Sequence, residues 1–213
     1  MNRMAAPSSS VQAREAAETE FNRIVAFTDG VFAIAMTLLV LTLEIPAGSD
    51  LGDELTNRGD EFFAYFLSFA VLARLWLAHH RFYGAVKRFD ARLITLNLFY
   101  LAFIALLPFT TEMLGNYSDD SLGVALYAAN MTIISLAFVV QIIHCYRDDL
   151  MHEDAREYEA RFAGPGNWLP AIVFGASIPI AFVSPAAAEL SWLLLFVAAR
   201  ALGDRLAGTT APK

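Results

Sequence analysis

Apolar residues gather along this chain in six long blocks, at 24–45, 62–82, 91–114, 122–146, 168–183 and 186–201, with polar and charged residues between them. Blocks of this length are too long for strands. Peptide groups in lipid must also bond within their own segment, so each block predicts a helix. The period-two alternation of a membrane barrel is missing. The pattern therefore predicts an all-α integral membrane protein with six transmembrane helices. The fifth block is short and carries Pro170 and Pro179, which leaves it a kinked span or a re-entrant segment. Residues 1–20, with Pro-Ser-Ser-Ser and no apolar run, predict a disordered tail rather than a cleaved signal. Residues 21–205 then form the membrane domain, and 206–213 a second tail.

Composition agrees with this reading. Only 17% of residues are charged and the mean hydropathy is +0.48, against about 25% charged in soluble domains. A net charge of −7 argues against a nucleic-acid partner. The single cysteine, Cys145, cannot form an intramolecular disulfide or a multi-thiolate zinc site. With the N-terminus inside, 13 of the 15 Lys and Arg residues fall in inner segments, as the positive-inside rule requires. Arg58 is the outer exception and Arg74 lies within a span. Asp50, Asp53, Glu54, Asp60, Asp119 and Asp120 populate the outer loops. These features predict a multi-pass membrane protein with both termini cytoplasmic. The stretch 147–162 reads as a solvated extension of the fourth helix.

No soluble domain is left once the spans are placed, so function sits in the bundle or its short loops. An ionisable group at membrane depth costs roughly 2.5–3.5 kcal/mol and needs a partner. Asp29, Arg74 and Asn97 lie about 9–10 Å from the inner ends of the first three blocks, with Trp76, His79 and His80 nearby. A buried carboxylate is tolerable when hydrogen-bonded and paired with a cation, so together these groups suggest one polar network. It reads as a clamp between helices, with a proton relay through Asp29 and the histidines as the alternative. Adjacent histidines point about 100° apart on a helix, which disfavours a metal site. No nucleophile elbow, phosphate-cradling loop or His-Glu-x-x-His pair is present, so the chain reads as no enzyme and implies no cofactor.

The first block carries two stripes. Asp29, Ala33, Met36 and Val40 share one face, anchored by the polar residue toward the helix's own bundle, while Ile34, Leu38, Leu41 and Ile45 share another, roughly 140° away. Ala26 and Gly30 would admit a close neighbour. By periodicity alone the aliphatic stripe faces lipid or core.

The run Arg23-x-x-x-Phe27-Thr28-Asp29-Gly-Val-Phe-Ala-Ile34, followed by Thr37-Leu-Leu-Val-Leu41, resembles the signature of the transmembrane protein 175 family, potassium-permeable channels of endolysosomes and prokaryotes. The string Trp76-Leu-Ala-His79-His80-Arg81 is similar to that family's second marker. Thr28 stands where the signature usually has serine, which keeps the hydroxyl. The resemblance implies a homotetramer with the first helix lining a central pore that conducts potassium ions. It makes Ile34 the narrowest hydrophobic ring, Leu38 and Leu41 the next rings, and Thr37 the candidate for selectivity. Arg23, Phe27, Thr28, Asp29, Arg74, Trp76, His79, His80 and Asn97 become the packing network. The Thr-Val-Gly-Tyr-Gly filter of ordinary potassium channels is absent, so a carbonyl cage of that kind is not available. Glu44 and Asp50, near the outer mouth, would concentrate cations or serve as plain loop charges. The alternative is a proton channel or proton-coupled transporter using Asp29, Arg74 and the histidines.

Overall fold

A computed structural model of the chain describes residues 9–43, 50–153 and 167–193, with side chains from residue 19 onward except those of 53 and 54. The described secondary structure is helical apart from one isolated bridge. Helix α1 runs Ser9–Leu38 and tightens into a 3₁₀ turn at Leu39–Thr42. A short α2 (Leu51–Asn57) leads into α3 (Gly59–Tyr83), α4 (Ala91–Asn116) and α5 (Ser121–Arg147). Helix α6 covers Leu169–Ala181, and residues 185–193 form the described part of α7. Helix α4 is the hub, packing against α1, α3 and α5, and α5 in turn receives α6.

Four stretches are long and apolar enough to cross a bilayer: Thr19–Thr42, Gly59–Tyr83, Ala91–Asn116 and Ser121–Arg147. At 1.5 Å per residue the shortest is about 36 Å, against a hydrocarbon core of about 30 Å. The fifth expected span is shorter than anticipated. Helix α6 has 13 residues, or about 20 Å, and the chain turns at 182–184 before α7. The two form a hairpin pinned where the Trp192 indole donates to Ser177 Oγ at 2.9 Å. Most of the sixth expected span lies outside the described residues.

Two other expectations are corrected. The stretch 1–20 was expected to be unstructured, yet α1 starts at Ser9. Gln-Ala-Arg-Glu-Ala-Ala-Glu (12–18) is a run of good helix formers with no break before the span, so the span nucleates and the helix propagates outward. At the other end, 147–162 does not continue α5. The helix stops at Arg147, Asp149 adopts a positive φ of 52°, and the chain doubles back. Leu150 and Met151 are buried against the α3–α4 loop, where Lys87 N donates to Leu150 O and His152 N to Ala85 O. Two apolar residues after the helix make the return favourable; a purely charged tail would have stayed solvated. Residues 154–162 lie outside the described residues.

Caps define the loop ends. Asp90 accepts the Leu93 amide at the start of α4, and Asp120 accepts the Leu122 amide at the start of α5, each satisfying a donor that the first helical turn leaves open.

Candidate pore face and the polar joint behind it

Helix α1 hides one face and leaves the other bare. Thr28, Phe32, Ala35 and Leu39 are buried at spacings of 4, 3 and 4, the stripe a helix lays on a neighbour. The opposite side exposes Ile34 (60%), Leu38 (41%) and Leu41 (64%). Gly30 shares this bare side, with nothing in the protomer within 4 Å of where a Cβ would stand. Thr37 is exposed too, its hydroxyl donating to Ile34 O at 2.8 Å and leaving the oxygen lone pairs outward. The expected polar stripe is off by one residue. Asp29 and Met36 are half-buried, and Ala33 and Val40 are exposed, because the bulky Phe32 and the hydroxyl of Thr28 take the inward positions. Glu44 and Ile45 lie outside the described residues. Asp50 is exposed and accepts the Gly52 amide.

A three-residue relay fixes this rotation of α1. The Asn97 amide on α4 donates to Thr28 Oγ1 at 2.9 Å, and its Oδ1 lies 3.1 Å from His79 Nε2 on α3. All three are at most 3% exposed. Asparagine suits the centre because it donates and accepts at once. His79 is also sandwiched between rings, with centroids 3.9 Å from Tyr83 and 5.5 Å from Tyr100. Beside the relay, the Trp76 indole donates to Asp29 Oδ1 at 2.9 Å, and His80 stacks on Trp76 at 5.4 Å.

The structure thus brings Thr28, Asp29, Trp76, His79, His80 and Asn97 together, in two linked pieces rather than one network. Arg23, Phe27 and Arg74 stand outside it. Each is exposed, and neither arginine forms an ion pair with Asp29 among the described residues. Arg74 precedes Trp76 by two positions, so it points about 200° away from the residue that meets Asp29. An indole N–H, rather than a cation, answers the carboxylate.

Sequence reading missed a second polar joint at the opposite corner of the same end. His144, 5% exposed near the end of α5, has Nε2 at 2.9 Å from Asp90 Oδ2 and Nδ1 at 2.8 Å from Asp148 Oδ2. Partial burial would raise the Asp90 carboxyl, but the bonds from the Leu93 amide and His144 hold it below its ordinary value. The i,i+4 spacing of His144 and Asp148 was a readable signal; the approach of Asp90 from another helix was not. A cavity of about 610 Å³ adjoins this corner, walled by Glu20, Phe21, Lys87, Arg88 and Asp90. Deeper in the bundle, Thr111 donates to Ser68, which donates to Tyr127, tying α3, α4 and α5.

Comparison with known proteins bears on the bare α1 face. The sequence profile described as "Endosomal/lysosomal potassium channel TMEM175" matches residues 23–108. A potassium channel of Streptomyces collinus is 33% identical over 178 residues, covering 78% of this chain and 84% of that one. An endosomal/lysosomal proton channel TMEM175 of Bos taurus is 31% identical over 157 residues, or 67% of this chain and 32% of that protein. Among solved structures, a lysosomal potassium-selective channel TMEM175 homologue from Chamaesiphon minutus superposes with a TM-score of 0.67 at 30% identity. It covers 88% of this chain and 98% of that one.

Proposed function

We propose, from the premise that this chain belongs to the TMEM175 family of multi-pass membrane ion channels, that it conducts potassium through a pore lined by α1 of four identical subunits. In this reading each subunit has six spans, with α6 and α7 supplying the last two, and sits in the cell membrane with both termini in the cytoplasm. The observation that carries it is the bare face of α1. Ile34, Leu38 and Leu41 stand uncovered on a helix whose other side is locked by the Thr28–Asn97–His79 relay. A helix held that firmly presents a fixed aliphatic row to whatever faces it.

The mechanism follows from hydration. An aliphatic ring narrow enough to dewet blocks an ion, because stripping its water without replacement ligands is costly. A slight widening rehydrates the ring and lets the ion through. Ile34 is the constriction and Leu38 and Leu41 the rings beyond it. The outward lone pairs of Thr37 give a partly stripped cation its nearest oxygen ligands and the basis of selectivity.

Reconstituted vesicles test the reading. Potassium flux is expected in the wild type, and Ile34→Asn is expected to raise it by hydrating the constriction, with the detergent complex keeping a tetramer's mass. An intact tetramer with unchanged flux overturns Ile34 as the gate. The name of the bovine relative favours a second reading, a proton path. Asp29, held by Trp76, and His79, held by Asn97, are the groups that would carry it. That reading expects a pH dye to report proton flux without potassium.

A further inference from the structure

We propose that His144 is a proton-dependent clamp: an imidazolium bridging Asp90 and Asp148 that fastens the turn after α5 onto the α3–α4 loop and releases it when its proton leaves. Two carboxylates at 2.9 and 2.8 Å face the two ring nitrogens of this 5%-exposed side chain. Ionised carboxylates only accept hydrogen bonds, and a neutral imidazole has one N–H and one lone pair. The neutral ring would therefore turn a lone pair toward a carboxylate oxygen at contact distance. Only the doubly protonated ring satisfies both sides.

What the clamp holds is visible. Asp90 is anchored independently by the Leu93 amide. Asp148 is the C-cap of α5 and half-exposed, so it is the partner free to leave. Behind it the chain bends at Asp149, whose carboxylate pairs with Lys87 Nζ at 3.0 Å. It then pairs with the loop through Lys87 N to Leu150 O and His152 N to Ala85 O. His144 thus ties the first residue of the 148–152 segment to the base of α4. Among the described residues, the charged and titratable groups around it are Asp90, Lys87 and Arg88 from the α3–α4 loop, Asp148 and Asp149 from the turn, Cys145 on α5, and Glu20 of α1 across the cavity. His152 is exposed at the far edge of the same turn.

Histidine-labelled full-length protein in nanodiscs, followed by nitrogen NMR between about pH 6 and about pH 9, tests this without reference to ion flux. The expected result is a His144 ring with both nitrogens protonated at neutral pH. Protection of the Lys87 and His152 amides is expected to fall about tenfold as that ring loses its proton, the equivalent of about 1.4 kcal/mol. His144→Gln assigns the resonance and is expected to abolish the pH dependence of protection, whereas His152→Gln is expected to preserve it. A neutral single-tautomer ring at neutral pH overturns the proposal. So does protection that is independent of the His144 titration, or that follows His152 instead.

Discussion

Asn97→Leu is the most informative perturbation of the joint that aims α1. The two side chains are close in shape, so the change removes hydrogen bonding with little change in volume. Two bonds disappear, the 2.9 Å bond to Thr28 Oγ1 and the 3.1 Å contact with His79 Nε2. Interhelical hydrogen bonds inside membranes contribute about 0.6–1.7 kcal/mol each. The loss is therefore roughly 1–3 kcal/mol, and the new leucine gains little in return because lipid is as apolar as the core. Thr28 can turn its hydroxyl to a carbonyl of its own helix; the buried His79 ring has no such retreat. The assay is reversible unfolding in mixed micelles, run as a double-mutant cycle with Thr28→Val. The pair is expected to show a coupling energy of about 0.6–1.7 kcal/mol. An Asn97→Leu protein as stable as the wild type, with no coupling to Thr28→Val, refutes the idea that this relay sets the rotation of α1.

Two further substitutions probe neighbouring contacts. Trp76→Phe keeps an aromatic ring over His80 but withdraws the 2.9 Å bond to Asp29. A lost hydrogen bond to a charged group predicts a loss of about 1.5–3 kcal/mol in the same unfolding assay; an unchanged midpoint would show that Asp29 finds another donor. Gly123→Ala would place a Cβ 2.6 Å from Tyr117 O and 2.8 Å from Tyr117 Cβ. The α4–α5 turn would have to shift, and overpacking of this kind costs about 1–3 kcal/mol. A melting temperature equal to the wild type's would show that the turn yields freely.

The first four spans were legible because lipid imposes a single rule on backbone groups, and 20-residue apolar runs can obey it in one way. The identities of most joint residues were legible for a related reason: an Asp29 or Asn97 at membrane depth must meet a partner, and few polar residues share that depth. Which partner was not legible. Expecting a cation for Asp29 led to Arg74, whereas the Trp76 indole takes the place, because helical phase rather than depth decides which side chain meets which. The same limit put the buried stripe of α1 one residue out. The His144 clamp escaped for want of long-range information: Asp90 lies 54 positions away. The return of Leu150 and Met151 onto the α3–α4 loop depends on tertiary burial, which a count of charges in 147–162 cannot register.

Exposure alone does not single out α1, since α3 and α4 also carry bare apolar faces. The chemistry of those faces differs. Helix α3 exposes Phe63, Phe66 and Phe69, and α4 exposes Phe99 and Phe109, large rings that suit fluid acyl chains but keep another helix at a distance. On α1, among the described side chains, Phe27 is the one exposed aromatic, and beyond it the exposed positions are Gly30, Ala33, Ile34, Thr37, Leu38, Val40 and Leu41. Ala26, Gly30, Ala33 and Thr37 recur at spacings of 4, 3 and 4, a small-residue seam that lets helices approach closely without a hydrophobic driving force. The aliphatic row of Ile34, Leu38 and Leu41 runs alongside that seam. Copies of α1 that met along the small residues would turn the aliphatic row toward the axis they surround. The same helix would then supply both the contact that assembles the pore and the ring that closes it.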